Sequence, residues 1–252
     1  MKVLYIIYQI FVAFPVLIIW TIITALEVGI GTSIGDGHYW GYVPGRWWGK
    51  IILKAFLIPV KVEGRKHLEK SQSYVFVANH QGIFDIFLIY GYLGRNFKWM
   101  MKHQLGKIPF LGYACRKSHQ IFVDKSGPKK IKKTYDTARD ILQEGYSVTV
   151  FPEGARTFTG HMAHFKKGAF ALADELQLPV VPLTINGSFD ILPRMKGFNF
   201  INWHPLTLTI HQAIYPIGQG PDNIDATMRQ AYDSVMSSLT PKYQGFVENP
   251  DQ

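Results

Sequence analysis

The residues best suited to do chemistry lie in Asn79-His80-Gln81-Gly82-Ile83-Phe84-Asp85. His80 directly follows Tyr74-Val75-Phe76-Val77-Ala78, a short apolar run that reads as a buried strand. On one helix, the spacing of His80 and Asp85 would set them about 140° apart, off a common face. Across a strand-to-helix turn the two side chains can meet. A carboxylate bonded to one ring nitrogen fixes the imidazole tautomer and steadies the imidazolium, leaving the other nitrogen as a general base. Asn79 and Gly82 are the supporting residues of that turn. The same residues also fit a capping aspartate beside a chance histidine.

A second cluster, Val150-Phe151-Pro152-Glu153-Gly154-Ala155-Arg156, ends another apolar run. Pro152 and Gly154 call for a sharp turn that brings backbone close to a ligand. Arg156 offers a planar fork suited to two phosphate oxygens, and Glu153 is expected to brace the turn or the arginine. Lys102 and Lys125 each follow a short strand. Ligands of open α/β sheets bind beyond the carboxyl ends of strands. Those ends would supply one base with its orienter and three cations, which suits a phosphate-bearing substrate with a hydroxyl to activate.

The elements that must hold these groups alternate. Strands are predicted at Phe97–Met101, Gln120–Val123, Tyr146–Phe151, Val180–Ile185 and Leu206–His211, with helices at Ile83–Leu93, Pro128–Gln143, Lys167–Leu176 and Asp222–Leu239. This order predicts an α/β fold whose mixed, largely parallel sheet is covered by helices. The chain of 252 residues divides into a membrane-associating helical hairpin over 1–60, the α/β domain over 61–240 and a loose tail over 241–252.

The hairpin rests on composition. No residue between Lys2 and Glu27 is charged, and that stretch exceeds the roughly 20 apolar residues a helix needs to cross a bilayer. Pro15 could kink it into a re-entrant shape. In the following segment Arg46, Lys50 and Lys54 form one basic stripe opposite Trp47, Trp48, Ile51, Ile52 and Phe56. That pattern suits a helix lying among lipid headgroups. The basic residues place this hairpin on the cytoplasmic face of the membrane.

Charge narrows the partners. The net charge is +9, and from Arg95 to Lys133 eleven basic residues face only Asp124. Such an excess calls for an acidic partner. Nucleic acid fits poorly, because the basic segment carries no recognition fold and an apolar hairpin precedes it. Cys115 is the only cysteine. It reads as a small buried hydrophobe, with a thioester nucleophile as the alternative. His161 and His164 lack a third ligand at metal spacing, so no metal is expected.

Asn79-His80 with Asp85, then Phe151-Pro152-Glu153-Gly154 with Arg156, then Val181-Pro182 resembles the glycerolipid acyltransferase family. Lys107-Ile108-Pro109-Phe110-Leu111-Gly112 and Phe165-Lys166-Lys167-Gly168 are similar to further blocks of that family, and the resemblance covers roughly 60–215. Two positions depart from it: Ala155 stands where threonine or serine is usual, and Lys125 where arginine is usual. The resemblance implies acyl transfer from a thioester, acyl-CoA or acyl-carrier protein, to the 2-hydroxyl of lysophosphatidic acid, giving phosphatidic acid. It implies no cofactor, His80 and Asp85 as catalytic residues, and Lys102, Lys125 and Arg156 as the phosphate site. Backbone N–H groups near Gly82 or Gly154 are candidates to hold the oxyanion. Other acceptors, glycerol 3-phosphate or a different lysophospholipid, stay open, as does a non-catalytic module that binds anionic lipid.

Overall fold

The computed structural model describes residues 2–195 and 197–248. Its first helical stretch is α1 (Lys2–Tyr8), a π-turn at Gln9–Ala13 and α2 (Phe14–Ile34). Together, Lys2–Ile34 is long and apolar enough to cross a membrane by length and composition. Pro15 does not break it. A proline removes one N–H and crowds the carbonyl four residues back, and the π-turn directly before it absorbs both effects. The turn also aims Gln9 inward. Gln9 Nε2 donates to the Ile201 carbonyl at 2.7 Å, and the Ile201 N–H donates to Gln9 Oε1 at 2.9 Å.

The short α3 (Gly37–Trp40) leads to α4 (Val43–Ala55). Here one expectation is narrowed: much of the apolar face of α4 is covered by protein, and of its named residues only Trp47 is exposed. Ile52, Leu53 and Phe56 are fully buried. Gly49 lets α4 approach the backbone of the following helix so closely that a Cβ would meet the Phe87 carbonyl at 2.5 Å. Trp48 donates to Thr21 Oγ1 at 2.9 Å and packs on Phe87. Each buried large apolar side chain contributes about 1.5–3 kcal/mol, so α4 belongs to the core and ties α2 to it.

The domain continues with β1 (Val60–Glu63), β2 (Val75–Ala78), α5 (Phe84–Tyr92), β3 (Phe97–Lys102), α6 (Leu111–Lys117), β4 (Ile121–Val123), α7 (Pro128–Gln143), β5 (Ser147–Val150), β6 (Met162–Ala163), α8 (Gly168–Glu175), β7 (Val180–Asn186), α9 (Ser188–Ile191), β8 (Leu206–Ile210), α10 (Pro221–Ser237) and β9 (Phe246–Val247). Seven strands form one sheet in the order β1-β8-β7-β2-β5-β3-β4. All its pairs are parallel except β7 with β8. The mixed, largely parallel sheet anticipated from the alternation is therefore present.

Alternation along β2 divides the core in two. Phe76 and Ala78 face a layer built from α4 and α5, while Val75 and Val77 face α7, α8 and α10. The strand order and parallel pairing set the carboxyl ends of β2, β5, β3 and β4 side by side, and these are the ends that carry the candidate residues. The expected loose tail is corrected over the described part of its span: Tyr243 is buried, and β9 pairs with β6. Residues 249–252, including Pro250, lie outside the described residues.

Gln9→Leu is expected to strand the buried N–H and carbonyl of Ile201, at about 1–3 kcal/mol for each group. Thermal unfolding in detergent should show a clearly lowered midpoint, and an unchanged midpoint would contradict the Gln9–Ile201 lock.

Candidate active site

Asn79 ends β2 and is fully buried. Its amide donates to the Ile185 carbonyl at 2.9 Å and its oxygen accepts the Ile185 N–H at 2.7 Å, which fastens the strand end to β7. The chain then turns into α5. Asp85, in the first turn of that helix, bends back over the turn. Its Oδ2 accepts the Gln81 N–H at 2.7 Å and the Gly82 N–H at 2.9 Å, and lies 2.8 Å from His80 Nδ1. Having accepted the two main-chain N–H groups, that oxygen takes its third bond from the imidazole as an acceptor as well. It assigns the Nδ1–H tautomer to His80, so Nε2 carries the lone pair.

The imidazole plane is fixed as well. His80 stacks on Phe151 at 3.8 Å with 8° between the rings, and Phe151 stacks on Trp99 at 5.2 Å. The His80 side chain keeps 16% of its surface exposed, whereas Asp85 keeps none. The ring therefore has one nitrogen bonded to the buried Asp85 while part of its own surface stays open. Gly82 meets a different demand from the one expected. Its φ lies outside the left-handed region, but a Cβ there would meet Ser188 Oγ at 2.3 Å. Close approach of α9, not turn geometry, requires glycine.

Glu153 links the second cluster to the first. The His80 N–H donates to its Oε1 at 2.6 Å and the Ala163 N–H to its Oε2 at 2.7 Å. Burial pushes this carboxyl up to about 8; the two N–H bonds oppose the rise and the nearby Asp85 charge adds to it. The expectation that Glu153 braces the turn matches this geometry: both of its oxygens are taken by main-chain donors. Gly154 sits at φ +83°, and a Cβ there would lie 2.7 Å from Lys166 Nζ. Two residues beyond Ala155, Thr157 Oγ1 donates to the His161 carbonyl at 2.7 Å and accepts the Gly160 N–H at 3.1 Å. The Gly82 and Gly154 N–H groups are both engaged, with Asp85 and with the Phe151 carbonyl. Any oxyanion donor in these turns is therefore a neighbouring N–H group and not one of these two.

The cations fall into two groups. Burial, then the nearby Lys166 and Lys102 charges, lowers the Lys125 ammonium pKa. These three lysines have no ion-pair partner among the described residues. Burial also lowers the Arg156 guanidinium pKa; Arg194 adds to this, while Asp85 opposes it. Arg194 stacks over the Phe158 ring at 4.2 Å and donates to the Arg156 carbonyl. Both arginines line a cavity of about 240 Å³ together with Phe14, Leu192, Phe198 and Ile201.

Lys166 and Arg194 are not marked as site residues by the sequence alone. Lys166 lies in a block notable only for its resemblance, and Arg194 carries no local signal. The remaining basic segment is corrected as a single acidic-partner surface. Lys98 is buried with its ammonium over the Tyr146 ring at 4.4 Å, and Lys129, Lys130, Lys132 and Lys133 lie exposed on α7. Cys115 is buried and its thiol is pushed up to about 12 by burial, which suits a packing residue and not a nucleophile. Among the described residues there is no group of three His, Cys, Asp or Glu placed to hold a metal.

The rim of the sheet thus holds a histidine bonded to a buried carboxylate, with the Arg156 guanidinium near enough for its charge to act on Asp85. The acyltransferase family profile matches residues 59–186, just over half the chain. The chain belongs to the acyltransferase family. It is 33% identical over 187 residues to a 1-acyl-sn-glycerol-3-phosphate acyltransferase of Chlamydomonas reinhardtii, covering 74% of this chain and 54% of that protein. It is also 33% identical over 176 residues to the enzyme of that name from Saccharomyces cerevisiae, covering 67% and 56%. The chain thus spans about half the length of these curated relatives. The crystal structure of the 1-acyl-sn-glycerophosphate (LPA) acyltransferase PlsC from Thermotoga maritima shares the fold, with a TM-score of 0.78 at 23% identity over 93% of this chain and 94% of that one.

Glu153→Gln is expected to set an amide NH₂ against one of the two backbone donors, whichever way the amide is flipped. The lost bond and stranded donor cost about 1–3 kcal/mol. A lowered unfolding midpoint together with reduced turnover is the expected result; an unaltered midpoint would show that the two N–H bonds do not hold the His80 turn.

Proposed function

We propose that the protein transfers an acyl group from acyl-CoA or acyl-carrier protein to the 2-hydroxyl of 1-acylglycerol 3-phosphate, giving phosphatidic acid for phospholipid synthesis. The observation that carries this reading is the His80–Asp85 pair: Nδ1 bonded at 2.8 Å, the ring pinned on Phe151, and Nε2 left as an acceptor. The names of the relatives support the acceptor. The chemistry is balanced within the site. The acceptor hydroxyl oxygen attacks the thioester carbonyl carbon as its proton passes to His80 Nε2. Asp85 steadies the imidazolium formed. The tetrahedral intermediate collapses, the carbon–sulfur bond breaks, and the imidazolium returns its proton to the departing thiolate. Ester and thiol result. No metal or redox partner enters the step, because the thioester is already activated.

Lys102, Lys125 and Arg156 take the phosphate in this reading, with Arg194 adding a second guanidinium and Lys166 a third ammonium. The cavity holding both arginines is walled by Phe14 of the long apolar helix, so a lipid acceptor can reach the cations from the helix side. The exposed apolar side of that helix supports attachment to membrane lipid, and Lys2, Arg46, Lys50 and Lys54 support the cytoplasmic face.

Release of free thiol, followed with acyl-CoA and with acyl-carrier protein, tests the reading. Lysophosphatidic acid is expected to sustain turnover, while glycerol 3-phosphate and lysophosphatidylcholine do not. His80→Ala and Asp85→Asn should each lower kcat on the order of 10²–10⁴-fold, with binding of lysophosphatidic acid kept. Persistence of turnover in His80→Ala would overturn the mechanism; preference for another acceptor would overturn the substrate while leaving acyl transfer in place.

A further inference from the structure

The block Lys107-Ile108-Pro109-Phe110-Leu111-Gly112 has no part in the chemistry above, yet its backbone is the most unusual near the site. Phe110 adopts φ 58° and ψ −57°, and the Leu111 N–H donates to the Pro109 carbonyl at 2.6 Å. That is a γ-turn with a positive central φ, a rare and strained conformation that a bulky residue avoids. The frame around it is rigid. A Cβ on Gly112 would meet the Gly106 carbonyl oxygen at 2.2 Å, and Arg116 donates to that same carbonyl. The product of this strain is display. Ile108 is 44% exposed and Phe110 49% exposed, one on either side of Pro109 in the loop that leads into α6.

The loop's position names its occupant. α6, which begins at Leu111, lies along α2: Tyr113 fills the notch at Gly29, where a Cβ would meet its ring at 2.3 Å, and Lys117 Nζ donates to Ser33 Oγ at 3.1 Å. The loop at the head of α6 is thereby carried to the flank of the apolar helix. On that helix Leu26, Ile30 and Ile34, four residues apart, form an exposed stripe. Charge agrees. From Arg95 to Val123 no acidic residue occurs, and Lys107, Arg116 and Lys117 flank the loop. An apolar loop flanked by cations, beside an apolar stripe whose one neighbouring carboxylate is the exposed Glu27, is complementary to an anionic bilayer surface.

We infer that Ile108 and Phe110 form a second membrane contact, a strained finger that enters the interface of an anionic bilayer beside α2 and sets the tilt at which the site faces the lipid. An acidic carrier protein would meet the same cations, but it would leave the neighbouring stripe on α2 uncovered.

The inference is tested first without any reference to catalysis. Phe110→Cys is labelled with an environment-sensitive nitrobenzoxadiazole dye; Cys115, buried with its thiol pushed up to about 12, does not compete for it. The full chain is placed in vesicles of phosphatidylcholine with a minority of phosphatidylglycerol. Emission from position 110 is expected to shift to the blue and to be quenched by lipid-borne nitroxide, while the same dye at Lys132→Cys on α7 does neither. Water-like emission at position 110, or a shift produced by acyl-carrier protein and not by vesicles, would overturn it. The second arm rests on the proposed function. Phe110→Gly relieves the positive φ, so the unfolding midpoint should not fall. Turnover of a long-chain acceptor in the bilayer should drop on the order of tenfold, in line with the loss of one buried aromatic side chain, while turnover of a short-chain monomeric acceptor stays within about twofold. An equal loss on both acceptors would make the loop part of the substrate site and sink the inference. Absence of turnover in the unaltered protein would sink only the proposed function, since the dye measurement is independent of it.

Discussion

Everything at the end of the sheet depends on one oxygen atom. Asp85 Oδ2 gathers the Gln81 N–H, the Gly82 N–H and the imidazole Nδ1–H of His80. Two of these donors belong to the turn between β2 and α5, and the third is the group that the turn exists to present. The same carboxylate therefore folds the loop and selects the histidine tautomer. Glu153 repeats the device from the neighbouring strand, since it takes the His80 N–H with one oxygen and the Ala163 N–H with the other. Two buried carboxylates, each spent on main-chain donors, fix the histidine from both sides.

Much of this is legible in the sequence because the strands of a buried sheet are short apolar runs, and the residues just beyond their carboxyl ends must lie at the rim. The strands around Phe76, Val148 and Val181 and the helices starting at Phe84 and Pro128 lie within a residue or two of the spans that pattern assigns them. The His80–Asp85 contact comes from chemistry and not from periodicity. The less legible parts are so for physical reasons. β1, Val-Lys-Val-Glu, is short and half charged, so its partner β8 defines it more than its own pattern does. Lys166 lies in a basic run and gains meaning only when the Gly154 backbone turns beneath its ammonium.

The misreading of α4 is instructive. A tryptophan and isoleucine face opposite a basic stripe has the same one-dimensional signature whether protein or lipid covers it. Here the cover is protein: Gly45, Gly49 and Gly91 remove the side chains that would hold α4 away from α5. The glycine spacing, and not the apolar face, carried the distinction. The basic stretch from Arg95 to Lys133 divides for a similar reason. Neighbouring lysines of one strand can meet opposite environments, so Lys98 lies under Tyr146 while Lys102 reaches the rim.

The Gln9 amide clasps Ile201, and Ile201 also lines the cavity that holds Arg156 and Arg194. The outermost helix and the innermost cations are thus separated by a single stretch of chain. A shift of that helix must either break the clasp or carry Ile201, and with it part of the cavity wall, along.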